Sequence, residues 1–124
     1  MLGGVGCDLC SISRMERATA RSGFCERVFL PGEREYCAAR GGQKFASLAA
    51  RFAAKEAVLK ALGTGLRYGS FQDIEIVQDE LGKPEVRLYG TFAELAKSKS
   101  VTKIEVSLSH EREYAMAFVV LEVE

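Results

Sequence analysis

A chain of 124 residues, 48% hydrophobic and 27% charged, fits one soluble globular domain, residues 1–124, and leaves little room for a second. Its 17 basic and 17 acidic residues cancel, which excludes the basic excess of a general nucleic-acid binder. No stretch approaches the roughly 20 apolar residues that cross a bilayer, and the N-terminal residues lack the basic region and apolar run of a signal peptide. Cytoplasmic residence is therefore expected, with neither nucleic acid nor membrane as a partner.

Residues 2–9 read as a strand rich in glycine (Gly3, Gly4, Gly6). Ser13-x-x-Glu16 has the form of a capping box that opens a first helix. Leu30-Pro31-Gly32 reads as a turn, and residues 33–40 as a short helix stopped by Gly41-Gly42. The clearest helical signal runs from about residue 43 to residue 62, with Gly63 as its stop. After turn-rich residues 64–70, residues 73–77 and 85–89 flank Asp79-Glu80-Leu81-Gly82 and predict a hairpin. Thr91 can cap a short helix carrying Phe92, Leu95 and Ala96; residues 103–109 and 115–122 read as the last two strands. These elements predict an α+β fold, with a largely antiparallel sheet packed against one long helix and shorter ones.

Four cysteines raise the question of metal or redox chemistry, because Cys7 and Cys10 form a C-x-x-C. On a strand those two point to opposite faces, and His110 is the only histidine, so free thiols are the better reading.

Two acids stand out. At about 100° per residue, Phe45, Leu48, Leu59 and Glu56 all fall within about 40° of Phe52, so Glu56 is expected inside the apolar stripe of the longest helix. A carboxylate there is costly unless paired or bound to a cation. Lys60, one turn later, offers an ordinary i,i+4 ion pair as the alternative. Asp8 is the one acid in the first fifteen positions and ends the predicted strand. Gly4 and Gly6 on its side leave room for a backbone or a ligand; a plain turn residue is the alternative. Asp8 and Glu56 together supply hard oxygen ligands suited to magnesium. Lys60 and the following Gly63-Thr64-Gly65 can hold phosphates through charge and backbone N–H groups, although this loop follows its helix and is not a P-loop. Arg14, Arg17 and Arg21 fall within about 60° of one another on the first helix, a solvated face or a surface for docking carboxylates.

Three blocks carry a resemblance: Gly4-Val5-Gly6-Cys7-Asp8-Leu9, then the run from Arg51 through Lys55-Glu56 and Lys60 to Gly63-Thr64-Gly65, and Ser107-Leu108-Ser109-His110. In order and spacing they resemble the holo-acyl-carrier-protein synthase family of 4′-phosphopantetheinyl transferases, over nearly the whole chain. The resemblance implies transfer of 4′-phosphopantetheine from coenzyme A to a serine of acyl carrier protein, by an α+β protomer often assembled as a trimer with sites between subunits. It implies that Asp8 and Glu56 hold magnesium and that Lys60 contacts the phosphates. It makes Glu56, Lys60 and His110 the catalytic group, with Arg51, Gly63, Thr64, Gly65, Ser109 and His110 around coenzyme A. Acyl carrier proteins are acidic as a class, so Arg14, Arg17 and Arg21 are expected to dock the carrier. Cys7 and Cys10 depart from the family pattern, and Glu111 and Glu113 crowd His110. The alternatives are a non-catalytic module that docks a carrier or nucleotide, and a zinc or redox protein using Cys7 and Cys10.

Overall fold

In the computed structural model, which describes all 124 residues, strand β1 (Leu2–Ser11) leads into helix α1 (Ile12–Thr19). Helices α2 (Phe24–Val28), α3 (Pro31–Ala38) and α4 (Lys44–Leu62) follow. Next come a hairpin of β2 (Ile74–Gln78) and β3 (Pro84–Leu88), helix α5 (Gly90–Ser98), and strands β4 (Val101–His110) and β5 (Tyr114–Val123). The three long strands form an antiparallel sheet in the order β1-β5-β4, and β2-β3 forms a separate antiparallel ribbon. The α+β class and the long helix are as the sequence predicts.

Several boundaries differ. β1 continues two residues past the predicted end, so the helix is capped by Ser11, whose hydroxyl accepts from the Arg14 N–H at 3.3 Å, and Ser13 lies inside α1. Leu30-Pro31-Gly32 is no free turn: Pro31 takes the first helical position, where its missing N–H costs nothing. Glu33 reaches back to accept from the Leu30 N–H at 2.9 Å. Thr91 stands within α5 and donates its hydroxyl to the Tyr68 carbonyl instead of capping. The five-residue helix α2 has no clear sequence signal.

α4 is buried almost all round, and its tightest contacts are made by small residues: Ala49, Ala53, Ala54 and Ala57 have no exposed surface. Of the expected stripe, Leu48 and Leu59 are buried whereas Phe45, Phe52 and Glu56 are half-buried, so Glu56 lies at a partly covered edge and not in the core. Sheet packing explains the difference. A Cβ on Gly6 would lie 1.9 Å from the Ala57 carbonyl oxygen, and one on Gly4 would lie 2.4 Å from that of Ala61. Glycines on β1 and alanines on α4 thus let two backbones touch, and a pattern built from large apolar residues misses such a face. Core clusters around Val58, Ile74 and Val119 and around Phe29, Leu48 and Ala115 share the flanking residues Cys10, Phe71 and Leu108.

Lys55 pins this framework. Fully buried, it donates to Glu33 Oε1 at 2.6 Å, to the Val28 carbonyl at 2.7 Å and to the Phe71 carbonyl at 3.0 Å. The other Glu33 oxygen accepts from the Ile76 N–H at 2.9 Å. One ion pair therefore ties α2, α3 and β2 to α4, and removing either partner strands a charge at a cost of about 3–5 kcal/mol.

The sheet face turned away from α4 carries an uncovered apolar row: Val5 and Leu9 on β1, Tyr114, Met116 and Phe118 on β5. Leu9 keeps 63% of its surface and Phe118 43%. Contiguous apolar surface of this kind marks an interaction face.

Candidate active site

Asp8 sits in the interior of β1, opposite Ala117 on β5, and so is not a turn residue. It shares a side with Gly4 and Gly6, and the close approach those glycines allow brings it to the last turns of α4. There Lys60 Nζ donates to Asp8 Oδ1 at 3.0 Å and to the Cys7 carbonyl at 3.0 Å. The alternative pair between Glu56 and Lys60 does not form. Burial raises the Glu56 pKa above the ordinary carboxylate value, the nearby Asp8 charge raises it further, and Lys60 partly opposes both. The hydrogen bond to Asp8 in turn raises that of Lys60.

Two carboxylates that repel each other, with a lysine beside them, suit a hard divalent cation. No group of three ligating side chains converges here. Magnesium commonly takes one or two carboxylates and completes its shell with water and phosphate oxygens, so two acids would supply only part of such a shell. Cys10, on the same strand, has its thiol pushed up to about 11 by burial and then by Asp8, which opposes metal or redox use as a thiolate. All four cysteines are free thiols.

Gly63 ends α4 at φ 79°, and its N–H and that of Thr64 both return to the Leu59 carbonyl, at 2.9 and 3.2 Å. Those two donors are committed to the helix cap, which narrows the expectation of a backbone phosphate cradle to Gly65. The surroundings of Gly63 and Gly65 are open.

The remaining predicted residues lie elsewhere. Arg51 is five residues before Glu56, hence about 140° round the helix from it. It walls a cavity of about 120 Å³ with His110, Arg40, Gln43, Ser47 and Gln78. Ser109, adjacent to His110 on β4, pairs with Met116 and faces the uncovered side of the sheet. One chain thus does not bring His110 to Asp8, Glu56 and Lys60.

Arg14 and Arg17 lie on α1, whereas Arg21 lies just beyond its end, so the expected stripe is only partly helical. All three nevertheless wall one cavity of about 480 Å³ with Leu9, Met15, Phe24 and Phe52. Leu9 follows Asp8 and Phe52 precedes Glu56 by a turn, so this cavity adjoins the carboxylate pair. Its aromatic floor escapes a charge-based reading, as do the Arg40, Ser47 and Gln78 walls of the other cavity.

A family model described as the 4′-phosphopantetheinyl transferase superfamily matches residues 4–119. The chain is 48% identical over 127 residues to a holo-[acyl-carrier-protein] synthase of Geobacter sulfurreducens, covering 98% of each. The crystal structure of holo-[acyl-carrier-protein] synthase from Neisseria meningitidis superposes with a TM-score of 0.88 at 36% identity, covering 98% of this chain and 99% of that one. That of the Helicobacter pylori synthase in complex with coenzyme A gives 0.82 at 32% identity, covering 95% and 99%. The chain belongs to the holo-[acyl-carrier-protein] synthase family of this superfamily.

Proposed function

We propose that this protein transfers 4′-phosphopantetheine from coenzyme A to a serine of apo-acyl carrier protein, releasing 3′,5′-ADP. The observation that carries the reading is the meeting of Asp8 with Lys60 beside Glu56, three residues of the matched family region drawn from the two ends of a β1–α4 contact.

In the transfer, the serine oxygen bonds to the β-phosphorus of coenzyme A as the bond from that phosphorus to the bridging oxygen breaks. Such reactions are catalysed by positioning and charge neutralisation. Asp8 and Glu56 are the residues to hold magnesium, which when bound neutralises the pyrophosphate and makes its phosphorus more electrophilic. Lys60 stabilises charge on the leaving phosphate or protonates it. Among the chain's own groups Glu56 is placed to take the proton of the serine. The nucleophile belongs to the carrier.

Arg14, Arg17 and Arg21, with the apolar floor of Met15, Phe24 and Phe52, form the dock for an acidic carrier next to those carboxylates. Arg51 and His110 take another part of coenzyme A. Because they lie on the far side of α4 from Glu56, a complete site needs a second copy of the chain, and the uncovered row of Val5, Leu9, Met116 and Phe118 supplies a face for it. Three protomers sharing three sites is the assembly proposed. The enzyme is placed in the cytoplasm, where its cysteines stay reduced.

Incubation with coenzyme A, magnesium and apo-carrier tests the reading. Release of 3′,5′-ADP supports it. Carrier binding without release would make the chain a docking module instead.

A further inference from the structure

Helix α4 buries two cations and treats them in opposite ways. Lys55 has Glu33 at 2.6 Å. Arg51, one turn earlier and only 2% exposed, has no carboxylate within ion-pair distance. Its guanidinium is held by neutral groups alone: Nη1 donates to Ser47 Oγ at 3.0 Å, Nη2 donates to Gln78 Oε1 at 2.5 Å, and the plane lies 4.3 Å from the Tyr36 ring centroid. The buried Nε has no acceptor at all. Buried charges are paired as a rule, so a guanidinium anchored at both terminal nitrogens yet uncompensated is an exception that needs a reason. Gln78 stands where a glutamate of the same length would make a charge-neutralising pair. The cavity these side chains wall also carries Arg40, likewise without an acidic partner, and His110.

We infer that Gln78 is a positioning residue for binding of the coenzyme A phosphates: it fixes Arg51 through a neutral acceptor, so that the positive charge stays available to an anion entering the cavity. Ser47 and Tyr36 are positioning residues of the same kind, holding the guanidinium without cancelling it. This rests on the coenzyme A reading above.

The test is Gln78→Glu, which keeps the length and the acceptor and adds one negative charge. Its stability and its affinity are expected to move apart: Tm rises because the buried cation gains a partner, while the Kd for 3′,5′-ADP and the KM for coenzyme A rise about tenfold or more, the scale of one charge-assisted hydrogen bond. kcat at saturating coenzyme A and the KM for carrier stay within about twofold. A purely structural Gln78 would move Tm and affinity in the same direction. Gln78→Met, neutral but without the acceptor, is expected to weaken 3′,5′-ADP binding less than the glutamate does. A folded Gln78→Glu protein that binds 3′,5′-ADP as tightly as wild type, or a methionine variant that binds it more weakly than the glutamate one, overturns the inference. If wild type itself binds neither coenzyme A nor 3′,5′-ADP, the coenzyme A reading fails first.

Discussion

Lys60 turns away from Glu56, one helical turn before it, and donates instead to Asp8 on the neighbouring strand at 3.0 Å. The half-buried Glu56 is left with a raised pKa, caused first by burial and then by the Asp8 charge.

This has a pH signature. A carboxyl whose folded pKa is raised above its usual 4.5 favours folding most while protonated, and ionising it destabilises the fold progressively as the pH climbs from 4.5 through the raised value. Glu56→Gln is therefore expected to have a higher Tm than wild type at pH 7 in the absence of magnesium, with the difference vanishing near pH 4. Its turnover should fall at least about 100-fold, the scale of losing one group that stabilises transition-state charge. Thermal melts across that pH range, paired with transfer assays, check both. Near-normal turnover in excess magnesium would contradict the two-carboxylate site.

Reversing Arg14 and Arg21 to Glu is expected to raise the KM for carrier by about tenfold or more, with the KM for coenzyme A nearly unchanged. The wild-type KM for carrier should also rise with salt, because exposed charges are screened over about 8–10 Å near physiological ionic strength. Steady-state kinetics at two salt concentrations measure both effects. An unchanged carrier KM would make these arginines a solvated surface.

Phe118 lies in the middle of the uncovered sheet face, opposite Cys7 on β1. Wild type at micromolar concentration should scatter light with a mass near three protomers. Phe118→Glu is expected to give a folded monomer with little activity, since in the proposed assembly each chain holds only part of a site. A monomeric wild type with full activity would remove the shared-site assembly.

Gly6→Ala probes the contact that creates the site. The added Cβ would meet the Ala57 carbonyl oxygen at 1.9 Å, and backbone on both sides leaves nothing flexible to yield. A loss of about 1–3 kcal/mol or more is expected, seen as a lower Tm, together with lost activity because Asp8 shifts away from Glu56. A variant as stable as wild type would show that β1 and α4 can separate freely.

How far the sequence carries can be judged from these residues. The long helix, the hairpin and the alternating last strands follow from periodicity, and Gly63 stops α4 where its spacing says. The match of Asp8 with Glu56 was legible only in part. Each acid stands out locally, but the contact depends on Gly4, Gly6, Ala57 and Ala61 being small, and smallness has no periodic signature among large apolar residues. The partial cover of Glu56 has the same cause: α4 packs its alanines most tightly and leaves Phe45 and Phe52 partly open, while Leu48 and Leu59 of the same stripe are buried. The division of the residues proposed for phosphate binding between two sides of α4, and the neutral anchors of Arg51, depend on strand placement. Such long-range pairings do not show in local spacing.

The most direct measurement is the intact mass of an apo-acyl carrier protein after incubation with coenzyme A, magnesium and either wild type or Asp8→Asn. Wild type is expected to shift the carrier by one phosphopantetheine group with equimolar release of 3′,5′-ADP, and Asp8→Asn, folded by its melting curve, is expected to leave the carrier unmodified over the same time. An unmodified carrier with wild type, or equal conversion by both proteins, would contradict transfer at the Asp8–Glu56 site.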